Sequence, residues 1–97
     1  MTNIQVVQFL AGMDIVMEEV SEKELELGHW DDPVALEKLA LVHSSISSVV
    51  EGTAMGLGQE YVERALAEAV IRLMDFAYFY NYDLPAAIDV RRKELLA

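Results

Sequence analysis

Apolar positions along this chain recur at three- and four-residue steps almost throughout, the spacing that lines one face of an α-helix. Val6, Phe9, Leu10, Met13, Val16, Met17 and Val20 form the first such series, which predicts a long helix from about Asn3 toward Leu27 with Gly28 as its stop. In the loop His29-Trp30-Asp31-Asp32-Pro33, Asp32 is placed to cap a second helix, and Pro33 falls in its first turn, where a missing amide hydrogen costs nothing. The core face of that helix reads Leu36, Leu39, Val42, Ile46, Val49 and Val50, and Gly52 is expected to end it in a left-handed conformation. After a glycine-rich loop from Gly52 to Gly58, Val62, Leu66, Ala69, Val70, Leu73, Ala77 and Tyr80 predict a third long helix. Asn81-Tyr82-Asp83 then reads as a turn. Asp83 would cap a shorter fourth helix with Pro85 in its first turn, Ile88 and Leu95 as apolar positions, and Arg91, Arg92 and Lys93 near its negative end. With no strand pattern, repeat or low-complexity linker, the expected fold is one all-α domain over residues 1–97, a four-helix bundle.

Composition adds an expectation about partners. A 97-residue chain has a small core, yet 54% of its residues are hydrophobic and none is cysteine, so burial between subunits is the expected route to adequate stability. The aromatic run Phe76, Tyr78, Phe79, Tyr80 and Tyr82 wraps around the third helix instead of keeping to one stripe, which again points to a subunit interface. Seventeen acidic against seven basic residues give a net charge of −10, which repels nucleic-acid phosphates and anionic lipid headgroups at long range. Neither nucleic acid nor membrane is an expected partner. The absence of cysteine removes disulfides, cysteine zinc sites and thiol nucleophiles, and suits a reducing, cytoplasmic setting. The start of the chain lacks a signal-like segment, and no apolar run approaches the roughly 18 residues of a spanning helix. The acidic run Glu18, Glu19, Glu22, Glu24 and Glu26, interrupted by Lys23, reads as a solvated face.

The candidate chemistry lies in two helical stretches, His43-Ser44-Ser45-Ile46-Ser47-Ser48 and Ala65-Leu66-Ala67-Glu68-Ala69-Val70-Ile71-Arg72. Their setting is a Gly28-His29-Trp30 turn, then Leu39-Ala40-Leu41-Val42-His43-Ser44, then the segment from Leu66 to Ala77, then Tyr82-Asp83-Leu84-Pro85-Ala86-Ala87-Ile88. This order resembles the MazG-like nucleoside triphosphate pyrophosphohydrolases over roughly Gly28 to Arg92. The resemblance implies a bundle with two long antiparallel central helices, a long N-terminal and a short C-terminal helix, assembled as a homodimer or a dimer of dimers. It also implies magnesium held by two acidic residues three apart on one central helix and by a Glu and an Asp three apart on the next. Residues at that spacing share a helix face, and magnesium prefers anionic oxygens. Carried onto this chain, the first pair falls on Ser45 and Ser48 and the second on Ala65 and Glu68. One carboxylate and two hydroxyls offer little charge, so the expectation is a homologue whose metal site is largely lost, with Glu68 as the surviving ligand. Arg91 lies near the place of a phosphate-facing lysine in that family, and Trp30, His43 and Arg72 complete the candidate ligand-binding residues.

Each of these residues also has a structural reading. The serines after His43 suit close helix approach, with hydroxyls bonded to the preceding turn. Glu68, Arg72 and Asp75 could form a surface ion-pair ladder. His43 beside an apolar face reads as a hydrogen-bonded packing residue, and Trp30 as the closure of one end of the bundle in place of a platform for a nucleobase. Three functions follow: an active magnesium-dependent pyrophosphohydrolase whose Glu68 is aided by Glu51, Glu63 or Asp75; a non-catalytic, ligand-binding or regulatory relative; and a purely structural helical module. The missing carboxylates favour the last two over the first.

Overall fold

A computed structural model describes residues 2–31 and 35–97. It contains four helices, α1 (Asn3–Glu26), α2 (Ala35–Ala54), α3 (Gln59–Phe79) and α4 (Leu84–Leu96), with no strand among the described residues. The expected cap at Asp32 and Pro33 lies outside the described residues. No described helix is long and apolar enough to cross a membrane.

Helix ends explain how the chain turns. Thr2 and Gln5 open α1 with a reciprocal pair of bonds, the Thr2 amide donating to Gln5 Oε1 at 2.7 Å and the Gln5 amide to Thr2 Oγ1 at 3.1 Å. Asp83 caps α4 as its position predicts, accepting from the Ala86 amide at 3.1 Å. Three helices end alike: a left-handed residue at Gly28, Gly56 or Asn81 lets the next amide reach back to a carbonyl five residues earlier, at Glu24, Gly52 and Ala77. The stop of α1 at Gly28 matches the sequence. The stop of α2 does not: Gly52 is inside the helix, which continues to Ala54 and ends on Gly56. Gly52 has a different use. A Cβ there would stand 2.6 Å from the Tyr61 ring and 3.2 Å from Val62, so the missing side chain lets α3 close on α2.

Contacts step backward along α2 as they step forward along α3, Gly52 meeting Tyr61 while Ser45 and Leu41 meet Arg72, so the two helices are antiparallel. The face of α2 turned to α3 carries Val42, Ser45 and Gly52, all buried, with Leu39 and Val49 partly covered. Leu36, Ile46 and Val50, expected in the core, are exposed, Leu36 to 77%. At Gly52 the absent side chain is what that face requires, since Tyr61 and Val62 fill the space. In α1, Val6 and Met17 are buried while Phe9 and Val16 of the same predicted stripe are exposed.

The contiguous core is thin, formed by Met17, Met74 and Ala77 with Met13 and Leu84 against it. Among the described residues α2 packs on α3 alone, whereas α1 packs on both α3 and α4. Among the described residues α3 is the central helix, touching each of the other three in an all-α array. The array measures 38 × 36 × 20 Å with a radius of gyration of 15.2 Å, against about 13 Å for a compact 100-residue domain.

Candidate functional site

The bend after α1 carries His29 and Trp30 back over α3. Trp30, 4% exposed, donates from Nε1 to both oxygens of Asp75 at 3.0 Å each. Its ring lies parallel to Phe79 at 3.9 Å, which fills one face, so the Lys38 ammonium 4.6 Å from the ring centre covers the other. Lys38 also donates to the His29 carbonyl, and the His29 ring pairs with Glu24. Trp30 thus closes one end of the helix array, and neither ring face is free for a base.

Asp75 is buried, and loss of hydration pushes its carboxyl above the usual 3.8; the Trp30 bond and the Ser21 hydroxyl pull it back, Glu24 adds to the rise, and Lys38 opposes it. Ser21 is fully buried, and its hydroxyl makes no hydrogen bond of ordinary geometry, so burial and the indole decide the state of Asp75.

One turn earlier on α3, Arg72 ties the central helices together. Its Nε donates to Glu68 Oε1 at 2.9 Å, and its Nη1 donates to the Leu41 carbonyl at 2.6 Å and to Ser45 Oγ at 3.0 Å. Ser45 Oγ donates in turn to the Leu41 carbonyl at 3.3 Å, and Ser48 Oγ to the Ser44 carbonyl at 3.2 Å. The structural reading is met at Ser45 and Ser48 and not at Ser44 or Ser47, which are exposed and bond no preceding carbonyl among the described residues. The ion-pair ladder is met in its first step only, because Asp75 turns to Trp30 instead of Arg72.

Two cavities flank the Glu68–Arg72 pair. The larger, about 440 Å³, is bounded by Glu24, His29, Trp30, Lys38, Ile71 and Asp75. The smaller, about 300 Å³, is walled by Ser44, Ser45, Ser48, Tyr61, Arg64 and Ala65. Arg64 forms no ion pair with any described carboxylate, so the smaller cavity holds two guanidinium groups against the single carboxylate of Glu68. The structure thus gathers Ser45, Ser48, Ala65, Glu68 and Arg72 in one place and sets Trp30 beside it. It leaves out two candidates. His43 is exposed and takes part in no hydrogen bond among the described residues, contrary to the packing role expected for it. Arg91 pairs with Glu94 at 3.0 Å on α4 and lines neither cavity.

Glu68 already receives the Arg72 guanidinium, Ser45 Oγ accepts from that same guanidinium, and Glu63 is held by Gln59. Among the described residues no three His, Cys, Asp or Glu side chains converge at a metal-holding spacing. Lys38, Tyr61 and Arg64 escaped the reading of the sequence. Arg64, Glu68 and Arg72 stand at four-residue steps on α3, a stripe that could have flagged Arg64. No protein-family model, curated protein or solved structure matches this chain. What the geometry defines is an all-α chain with a polar, arginine-bearing cleft between two antiparallel helices.

Proposed function

We propose that this chain is a non-catalytic MazG-like homologue, oligomeric and cytoplasmic, whose interhelical cleft takes an anionic small ligand such as a nucleotide directly on arginine. The observation that carries this reading is the guanidinium of Arg72, bonded at once to Glu68 and to Ser45 Oγ, two of the positions that the resemblance assigns to magnesium. A tethered cation at that point supplies the charge a metal would bring, and it repels any divalent ion approaching the same oxygens. Two guanidinium groups and one carboxylate leave the smaller cavity with a surplus positive charge, although the chain carries −10. Glu60 and Glu63 lie within one turn of Arg64 on α3, so the surplus is confined to the cavity itself, where Glu68 is the one lining carboxylate. Arg64 offers its donors in a planar fork suited to phosphate or carboxylate oxygens, and Tyr61 lines the same cavity.

Titration of nucleoside mono-, di- and triphosphates in the presence of EDTA tests the proposal. Saturable binding is expected without divalent metal, weakened about tenfold or more by Arg64→Gln, with no pyrophosphate released when magnesium is added. Magnesium-dependent turnover abolished by Glu68→Gln would contradict it and restore an active enzyme. The extensive exposed apolar surface favours a second reading, a structural interaction module, which predicts no nucleotide binding under either condition.

A further inference from the structure

The larger cavity has a chemistry opposite to that of its arginine-bearing neighbour. At about 440 Å³ it falls within the size of small-molecule sites, roughly 300–1,000 Å³. Three carboxylates line it, Glu24, Glu68 and Asp75, against two fixed cations, Lys38 and Arg72. Glu68 takes Arg72, which leaves Glu24 and Asp75 facing Lys38 alone. Asp75 is buried, no ion pair joins it among the described residues, and its donor of ordinary geometry is the uncharged Trp30 indole. A buried carboxylate ordinarily has a cationic partner, and burial with Glu24 nearby accordingly raises the pKa of this one. The same cavity already takes an ammonium from its own chain. Lys38 Nζ stands 4.6 Å from the centre of the Trp30 ring and donates to the His29 carbonyl, while Leu41 and Ile71 supply apolar wall beside these groups. Such walls suit an organic cation over an inorganic one, and no metal-holding trio of side chains converges here among the described residues.

We infer that this cavity binds a primary amine with an apolar body, its ammonium bonded to Asp75 and Glu24 and its hydrocarbon part laid against Leu41 and Ile71. The indole is a single donor shared between both Asp75 oxygens, so each oxygen keeps acceptor capacity for the newcomer. Glu24 engages His29 through Oε2, which leaves Oε1 as a second acceptor. An ammonium brings three donors to these oxygens and supplies the countercharge that the indole does not. Anions are opposed at this site by the same two carboxylates. The two cavities therefore select opposite charges, and the inference stands whether or not a nucleotide binds.

Calorimetric titration of the full chain with hexylamine, hexanol and hexanoate tests it. Hexylamine is expected to saturate at millimolar concentration or below, and the other two, which share its chain but not its charge, to bind about tenfold more weakly or worse. The chain has one tryptophan, so a single indole N–H resonance reports on the Asp75 carboxylate and should shift in step with hexylamine saturation. Asp75→Asn and Glu24→Gln keep the shape and remove the charge, and each should weaken hexylamine about tenfold or more. Glu24 is partly exposed, so its variant decides the matter even if Asp75→Asn does not fold. Lys38→Met removes the internal ammonium and should tighten hexylamine several-fold, a gain that a purely structural lysine does not give. Absence of saturation, equal binding of hexanol or hexanoate, a motionless indole resonance, native affinity in Glu24→Gln, or no gain in Lys38→Met would each overturn the inference.

Discussion

Asp75 shows how one residue carries both packing and charge. The residue is 8% exposed, its carboxyl bridged by the Trp30 indole and raised in pKa because burial outweighs that bond. A raised native pKa means that the folded chain binds the proton more tightly than the unfolded one. The contribution of Asp75 is therefore full below the usual 3.8 and is lost as pH climbs through the raised value. Asp75→Asn, which keeps an acceptor for the indole, should remove that slope: its stability relative to the native chain rises with pH across this window in denaturant titrations. Trp30→Phe keeps an aromatic ring on Phe79 but strips the donor from a buried carboxylate, and should cost about 1–3 kcal/mol. Arg72→Gln loses the part-buried bond to Ser45 and the exposed bonds to Leu41 and Glu68, and about 1 kcal/mol is expected in denaturant unfolding.

At the scale of elements, the join of α2 to α3 depends on a missing side chain. Gly52→Ala should gain helix propensity yet lose more by crowding Tyr61, for a net loss of about 1 kcal/mol in thermal or denaturant unfolding. In a Tyr61→Ala background the same substitution should turn stabilising, a sign reversal that only direct contact produces. The four helices were legible in the sequence because apolar spacing and the Asp83 cap act locally. The end of α2 was not: Gly52 and Gly56 are equally good stops, and the choice rests on Tyr61, a contact across the hairpin. The same limit applies to the cleft. Spacing placed Ser45 and Ser48 on the second helix and Glu68 on the third, and the resemblance set those helices face to face, but that Arg72 reaches across to Leu41 and Ser45 follows from the register of α2 against α3, which periodicity does not encode. The expected core position of Ile46 failed for a related reason, since in α2 the smaller residues face the neighbour.

The molecule as a whole is a flattened helical array with a thin core, wide exposed apolar faces and an arginine-bearing cavity between α2 and α3. Helix packing and cleft chemistry meet at Arg72, which links α2 to α3 through Leu41 and Ser45 and pairs with Glu68. The proposed function stands on that side-chain cation taking the place that the resemblance would give to magnesium. Magnesium titrated into the native protein and followed by amide NMR tests it most directly. The expected result is no saturable shift at Ser45, Ser48 or Glu68, whereas tight, saturable magnesium binding at those residues would contradict it.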